Sequence, residues 1–493
     1  MRRIVIIGGV AGGASAATRA RRLDEHAEIT MIEKGPYVSF ANCGLPYYVS
    51  REIESVDDLL LETPESFRDR FGVRVLTHQE VIEVDTAGQR VLSVSRDTGE
   101  SAWFPYDALI LAPGARPLTP TLPGSDREHV FQLRTVPDAV RLRDFIESRP
   151  VRHAVILGAG FIGLEMAEVL TRRQISVTLV DRAPQILPPV DGDLAQYFLD
   201  RIQPSGIDVR LRQTIDAISD DHVRLTSGEV IPADLVIFSL GVRPDVTLAQ
   251  QMGLRLGITG AIWVDAGMRT SIPQVFAAGD AVEKRDLVTG QPAWWPLAGV
   301  ANKEGRVAGT NAVGGNAELS GALGTAILRV DPYTAAVTGL TEKTAAARHV
   351  AYQVMYTVKG DHAGYYPGAQ DLLTKILFDP ESGRLLGAQI AGRVGVDKRI
   401  DVLATAIAAR MTVDALGELD LAYAPPFGAA KDAVIITGMA ADNVRRGLVN
   451  PITAGGLKQW VADAGEKPVA LDGRKPEEVP ATGGISSVLQ VSL

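Results

Sequence analysis

Apolar positions in this chain fall in short runs that change period at glycines. Ile4 to Ile7 is a continuous run of β-forming residues that stops at Gly8-Gly9-Val10-Ala11-Gly12-Gly13. An Ala-rich stretch of helical composition follows to Arg22, and a second β-forming run, Ile29 to Ile32, ends at the acid Glu33. The same order returns 150 residues later: Ala154 to Leu157, then Gly158-Ala159-Gly160-Phe161-Ile162-Gly163, a helix through Arg173, and Val177 to Val180 ending at Asp181. Each copy predicts a βαβ unit, with the apolar run as a buried strand entering a glycine turn. No apolar run reaches about 18 residues, so no membrane-crossing helix is predicted.

The layout carries a binding chemistry. Glycines allow a tight turn and let backbone N–H groups reach a pyrophosphate at the positive end of the helix. The acid closing the second strand accepts hydrogen bonds from ribose hydroxyls. The acids stand 25 and 23 residues after their turns begin, as this requires. In the first copy Val10 replaces the second glycine, and Gly12 and Gly13 are expected to free the turn elsewhere. Two dinucleotide sites in one chain imply two dinucleotides, and FAD with NADH or NADPH is the economical pairing. Asp181 favours a free 2′-hydroxyl and so NADH, with Arg182 beside it softening the choice.

Composition narrows the remaining classes. A chain of 493 residues exceeds one ordinary core, and three domains are expected. With 50 Lys+Arg against 59 Asp+Glu the formal charge is −9, which offers no general attraction for nucleic acid or an anionic membrane. Hydrophobic residues make up 46%, which excludes disorder. Seven His and one Cys show no CxxC or HExxH spacing, so no metal site is expected. Met1-Arg2-Arg3 before Ile4 imitates an export signal, but the apolar run is too short, and a cytoplasmic protein is the expectation. Cys43 cannot form an intrachain disulfide; it is either an inert buried thiol or a reactive one.

The segment Ser39-Phe40-Ala41-Asn42-Cys43-Gly44-Leu45-Pro46-Tyr47 resembles the active-site segment of coenzyme A-disulfide reductases, single-cysteine members of the flavoprotein pyridine nucleotide-disulfide oxidoreductases. The stretch from Tyr106 through Ala112, Pro113 and Gly114 is similar to that superfamily's crossover between its two nucleotide units. Phe276-Ala277-Ala278-Gly279-Asp280 resembles the second FAD motif, and Leu297-Ala298 with Asn302 to Arg306 resembles the helix beside the flavin ring. Lys34, Gly241 and Pro296 complete the cofactor contacts that the resemblance implies, with Gly8, Glu33 and Asp280 on FAD and the Gly158 turn on NAD(P)H. Tyr365-Tyr366-Pro367-Gly368, Asp397 to Asp401 and Ala422 to Phe427 are like this subgroup's dimerisation domain.

The resemblance turns Cys43 into the candidate redox centre. Relatives with CxxxxC form an internal disulfide, but Tyr48 stands five residues on, so the thiol must meet an external partner as a mixed disulfide, sulfenic acid or persulfide. Electropositive surroundings are expected to favour its thiolate. The resemblance further implies a homodimer in which the partner's tyrosines, Tyr366 or Tyr365 and Tyr423, protonate the departing thiol. It also implies coenzyme A contacts from Ser15, Arg19, Arg22, Ser39 and Asn42, weakened by Phe71 where some relatives carry Lys. A small disulfide or persulfide, coenzyme A derived, is the expected substrate. The competing acceptors are coenzyme A persulfide or polysulfide, and oxygen or peroxide through a sulfenate; the last relatives carry a His where this chain has Ala11. A flavin-binding redox sensor is the non-enzymatic reading.

The expected architecture is α/β with two Rossmann-like domains. FAD takes residues 1–112 and 243–322, NAD(P)H takes 113–242, and a mixed α/β dimerisation domain takes 325–445. Residues 446–493 resemble the start of a rhodanese domain without its cysteine.

Overall fold

The computed structural model describes residues 1–452, 454–463, 470–472 and 488–490. The first βαβ unit builds a five-stranded parallel sheet in the order Val275–Ala277, Ala108–Leu111, Arg3–Ile7, Glu28–Ile32, Val73–Leu76. Its edge strand comes from beyond residue 270, so the chain leaves this sheet and returns to it. The second unit builds another parallel sheet, ordered Ile207–Leu211, Ser176–Asp181, His153–Leu157, Leu235–Phe238, Val130–Gln132. After their first residues, Arg3 and His153, the central strands of both are apolar and buried, because helices cover one face of each parallel sheet and a three-stranded antiparallel sheet covers the other. The covering strands are Gln79–Asp85, Arg90–Ser95 and Ser101–Pro105 in the first unit and Ile215–Ile218, His222–Leu225 and Val230–Pro232 in the second. The chain crosses between the units through a short antiparallel pair, Ala115–Pro117 with Val242–Pro244. The run that imitates an export signal is thus the middle strand of the first sheet.

The third sheet is antiparallel, ordered Ala326–Val330, Tyr333–Gly339, Leu385–Gly392, Asp371–Phe378, Gln353–Gly360. Helices Val396–Ala408 and Ala433–Arg445 share one apolar core with it. The rhodanese-like segment Val469–Glu478 falls largely outside the described residues; a helix, Ala454–Asp463, and a parallel strand pair, Ala470–Asp472 with Val488–Gln490, are described beyond residue 453.

A buried lysine joins the third sheet to the second unit. Lys375 is fully buried, and its ammonium lies 2.9 Å from Asp191, 3.0 Å from Asp193 and in contact with Glu342. Those three acids stand close enough to share a cation, and the ammonium takes that position. Asp191 also meets Gln389 of the third sheet, and Asp193 accepts from the Tyr356 hydroxyl. Removing one partner from such a cluster leaves charge buried without compensation. Lys375→Met is expected to cost about 3–5 kcal/mol, read as a lowered midpoint in thermal unfolding. A variant as stable as the parent would show that the cluster does not join the units.

Candidate functional site

Both glycine turns have the same local geometry. Gly8 and Gly158 adopt φ of +96° and +106°, which favours glycine, and a Cβ on either would strike the carbonyl of Ala112 or Ser239. Gly13 and Gly163 sit where their helix crosses its strand: a Cβ there would lie 1.8 Å from the Gly8 oxygen or 1.9 Å from the Gly158 oxygen. The position between them is different. Val10 has φ −93° and Gly160 φ −82°, so neither needs glycine for its backbone. That is why Val10 is tolerated; Gly12 instead faces the Ala278 backbone and the helix Ala298–Ala312.

The two acids lock these turns in matching ways. Glu33 Oε2 accepts from Gly9 N at 2.9 Å and Oε1 from Gly35 N at 2.8 Å. Asp181 Oδ2 accepts from Ala159 N at 2.7 Å and Oδ1 from Ala183 N at 2.8 Å. Each carboxylate still has lone pairs for ribose hydroxyls. Nothing lies within 4 Å of a Cβ built on Gly160, and the space above it belongs to one cavity of about 2500 Å³. That cavity takes in Gly8, Val10, Ala11 and Gly12 from one turn and Phe161 and Ile162 from the other. Two cradles opening on one space of this size fit two dinucleotides laid end to end.

The crossover closes the cavity from a second side with Ala112, Pro113 and Gly114, and Lys34 and Gly241 lie on its wall. Pro296, Leu297 and Ala298 contribute where the helix Ala298–Ala312 begins. Gly279 and Asp280 are held from beneath by a buried pair. Glu304 Oε2 accepts from Gly279 N at 2.8 Å, while Lys284 Nζ donates to the Gly279 and Val282 carbonyls. Burial pushes the Glu304 carboxyl up to about 7, opposed by Lys284.

Cys43 sits in a single helical turn, Asn42–Gly44, ahead of the helix Leu45–Ser50, exposed to this cavity with Asn42 beside it. The expected electropositive setting is absent. Burial raises the thiol pKa, the carboxylates of Glu165 and Asp280 raise it further, and Arg134 opposes them. Arg134 is itself drawn to Asp280, 3.4 Å away.

Glu165 escaped the sequence reading. It lies four residues after Phe161 on the helix Phe161–Arg172, and burial with neighbouring Glu168 pushes its carboxyl up to about 7, against Arg329. Two acids inside the apolar run Phe161 to Leu170 were the available signal.

The remaining candidates lie apart from the cavity. On the helix Ala11–Leu23, Ser15 bonds Asn302, Arg19 bonds Thr310, and Arg22 is exposed. Ser39 is buried with φ +46°, its N–H on the Gly9 carbonyl. Phe71 packs on Phe67. The Tyr365 and Tyr423 hydroxyls are 2.7 Å apart and both rings are exposed, whereas the Tyr366 ring packs edge-on against His362. Between the neighbours, Tyr365 therefore forms the pair. Neither Tyr365 nor Tyr423 lines the cavity of its own chain.

Glu165 is the test of these electrostatics. Its folded pKa lies above the unfolded one, so it favours folding below about pH 4.5 and loses that contribution as pH rises through about 7. Glu165→Gln is expected to raise stability above pH 7 and to lower the Cys43 pKa, measured as the pH dependence of iodoacetamide alkylation. An unmoved alkylation profile would remove Glu165 from the thiol's surroundings.

Comparisons with known proteins agree with this geometry. The family model described as pyridine nucleotide-disulphide oxidoreductase matches residues 2–305, and the model of that family's dimerisation domain matches residues 325–434. A coenzyme A disulfide reductase of Staphylococcus haemolyticus is 36% identical over 442 residues, 90% of this chain and 99% of that protein. The crystal structure of reduced Bacillus anthracis CoADR-RHD superposes with a TM-score of 0.96 at 41% identity, covering 99% of this chain and 88% of that one. The structure of an NAD-dependent persulfide reductase from A. fulgidus superposes with a TM-score of 0.93 at 38% identity, covering 99% of this chain and 90% of that one. The chain belongs to the pyridine nucleotide-disulphide oxidoreductases, a flavoprotein family that works with FAD and NAD(P)H.

Proposed function

We propose that this protein uses NAD(P)H to reduce coenzyme A disulfide, or a related small disulfide, through Cys43, and that it works as a homodimer in the cytoplasm. One observation carries the reading: the chain's single cysteine opens onto the cavity that both dinucleotide turns share. Asp181, fixed by two backbone N–H groups, favours NADH.

The Cys43 thiolate attacks one sulfur of the substrate disulfide. A Cys43–substrate S–S bond forms, the original S–S bond breaks, and its electron pair leaves on the departing sulfur. That sulfur takes a proton from the hydroxyl pair Tyr365–Tyr423 of the partner subunit, and solvent restores the proton. Hydrogen bonding to Tyr423 holds the Tyr365 hydroxyl above its ordinary pKa, so Tyr365 keeps its proton at neutral pH. FAD, which Gly8, Glu33 and Asp280 would hold, would supply two electrons from NAD(P)H; with them the Cys43–substrate bond would break, leaving the Cys43 thiolate and a second substrate thiolate that takes its proton from solvent. Ser15, Arg19, Arg22, Ser39 and Asn42 are assigned to the coenzyme A portion, the arginines to its phosphates.

A second acceptor fits the same steps. With a coenzyme A persulfide the departing group is hydrosulfide, and the likeness to the A. fulgidus persulfide reductase favours testing it.

The experiment is NADH consumption by the purified protein with coenzyme A disulfide, coenzyme A persulfide, glutathione disulfide and oxygen as separate acceptors. Cys43→Ser is expected to abolish turnover of sulfur acceptors while NADH still bleaches the flavin. Tyr423→Phe is expected to slow disulfide turnover about 100-fold. Normal disulfide turnover by Cys43→Ser would overturn the reading, and a fully active monomer by light scattering would remove the partner's tyrosines from it.

A further inference from the structure

Four ionisable side chains that the sulfur chemistry does not use lie buried beneath the tyrosine pair: Asp361, His362, Arg399 and Asp432, none more than 8% exposed. Burial of this kind is tolerated only where partners are complete. Arg399 and Asp432 form a two-bond fork, Nε to Oδ1 at 3.0 Å and Nη2 to Oδ2 at 2.7 Å. The other guanidinium donors go to the Gly395 and Asp361 carbonyls. Asp432 also caps the helix Ala433–Arg445. This fork pins Asp361, the first residue after the strand Gln353–Gly360, at the root of the loop that carries Tyr365.

The loop is then closed from within. Asp361 N donates to Gln370 O at 2.8 Å, and Gln370 N returns to Asp361 Oδ1 at 2.7 Å, closing the neck ahead of the strand Asp371–Phe378. His362 spans the inside: Nδ1 is 2.9 Å from Asp361 Oδ1 and Nε2 is 3.3 Å from the Pro367 carbonyl. Its ring packs edge-on against Tyr366, with centroids 5.6 Å apart. Ala363 N donates to Gly428 O at 2.9 Å, which ties this loop to the segment bearing Tyr423. The two hydroxyls meet at the far side of that tie.

We propose that His362 is a positioning residue for the acid pair: clipped between Asp361 and the Pro367 carbonyl, it holds the loop in the shape that sets the Tyr365 hydroxyl against Tyr423. The proposal rests on the assignment of those tyrosines to protonation of the departing thiol. His362 itself touches neither substrate nor reacting sulfur and acts through the loop.

Both imidazole nitrogens face acceptors, a geometry that only the imidazolium satisfies at once, because the neutral ring donates from one nitrogen alone. The charges packed around it agree. The Arg399 guanidinium is already paired with Asp432, the hydrogen bond from Tyr423 holds the Tyr365 hydroxyl above its ordinary pKa, and the Asp361 carboxylate faces the ring. The hydrogen bond to Asp361 leads the causes that raise His362 above the ordinary 6.5, with burial opposing. A raised pKa means the clip is complete at low pH and loosens as pH rises through the folded value.

The test uses the FAD-loaded enzyme and follows coenzyme A disulfide turnover from about pH 5 to pH 9, which covers the range in which histidine changes charge and the upward shift of His362. For His362→Gln and His362→Ala, bleaching of the flavin by NADH without disulfide is expected to stay at the parental rate. The disulfide kcat is expected to fall about tenfold, with KM little changed, as misplacement of an acid predicts. The falling limb that follows His362 in the parent should vanish. Asp361→Asn, which keeps the acceptor and removes the charge, should move that limb to lower pH. Parental kcat with an unmoved limb in these variants would overturn the proposal. Tyr365→Phe and Tyr423→Phe separate the two levels. If they are slow while the His362 variants match the parent, the acid role stands and the positioning role falls; if they also match the parent, the acid role falls and the positioning role with it.

Discussion

Contact between a glycine and a carbonyl oxygen, at the point where each turn's helix crosses its strand, is the constraint on which the rest of the site depends. Gly13 against Gly8 and Gly163 against Gly158 leave no room for a Cβ. These are backbone contacts, so no neighbouring side chain can move to relieve a substitution. The close crossing brings each helix start within reach of its locking carboxylate, Glu33 or Asp181. It also lets the helix Ala298–Ala312 lie directly on the first turn's helix, where Gly305 and Gly309 approach the carbonyls of Gly12 and Ala16. Glu304 on that helix then holds the Gly279–Asp280 loop over the cavity. Backbone contacts and the Glu304 carboxylate thus link the first strand to Asp280, whose charge acts on the Cys43 thiol.

The electrostatics around that sulfur run against the expectation of a strongly acidic thiol. Lower thiol pKa gives more thiolate but a weaker nucleophile, and the optimum lies near ambient pH. Burial and the carboxylates of Glu165 and Asp280 raise the Cys43 pKa, so its thiolate is scarcer and each one more reactive. Burial pushes the Glu165 carboxyl up to about 7, so this neighbour gains its negative charge below the range in which the raised thiol ionises, and that charge opposes the thiolate. A glutamate from the pyridine nucleotide unit therefore adjusts a cysteine of the flavin unit.

What the sequence disclosed and withheld follows the reach of each interaction. The two βαβ units and their closing acids were legible because strand, turn, helix and acid are local and their spacing is set by backbone geometry. Val10 looked like a defect because the glycine pattern does not say which of its positions need a positive φ; only Gly8 does. The sign of the Cys43 shift was not legible, since Glu165 and Asp280 reach the sulfur through the tertiary fold. Tyr365 and Tyr366 could not be told apart in sequence, because which hydroxyl pairs with Tyr423 depends on tertiary contacts: the Tyr366 ring packs on His362, and the Tyr365 hydroxyl meets Tyr423. The Lys375 cluster was invisible for the same reason: its three acids come from two separate segments and meet only when the third sheet docks.

A single cysteine also explains why the third sheet must be held so firmly. In an enzyme with an internal disulfide the departing thiol stays tethered to the chain, where a nearby base or acid can meet it repeatedly. Here the second sulfur belongs to the substrate and leaves, so the proton must arrive as the bond breaks. The Tyr365–Tyr423 pair is not on the cavity wall of its own chain, so on the proposed reading, in which this pair is the acid, its position depends on how the third sheet is attached to the rest. Lys375 fixes that sheet to the pyridine nucleotide unit, and Arg329, from its first strand, reaches Glu52 and Glu168 beside Tyr47. Since a misplacement of about 1 Å can cost a hundredfold in rate, such charged attachments would, on the proposed reading, bear on catalysis through geometry, at a distance from any reacting atom.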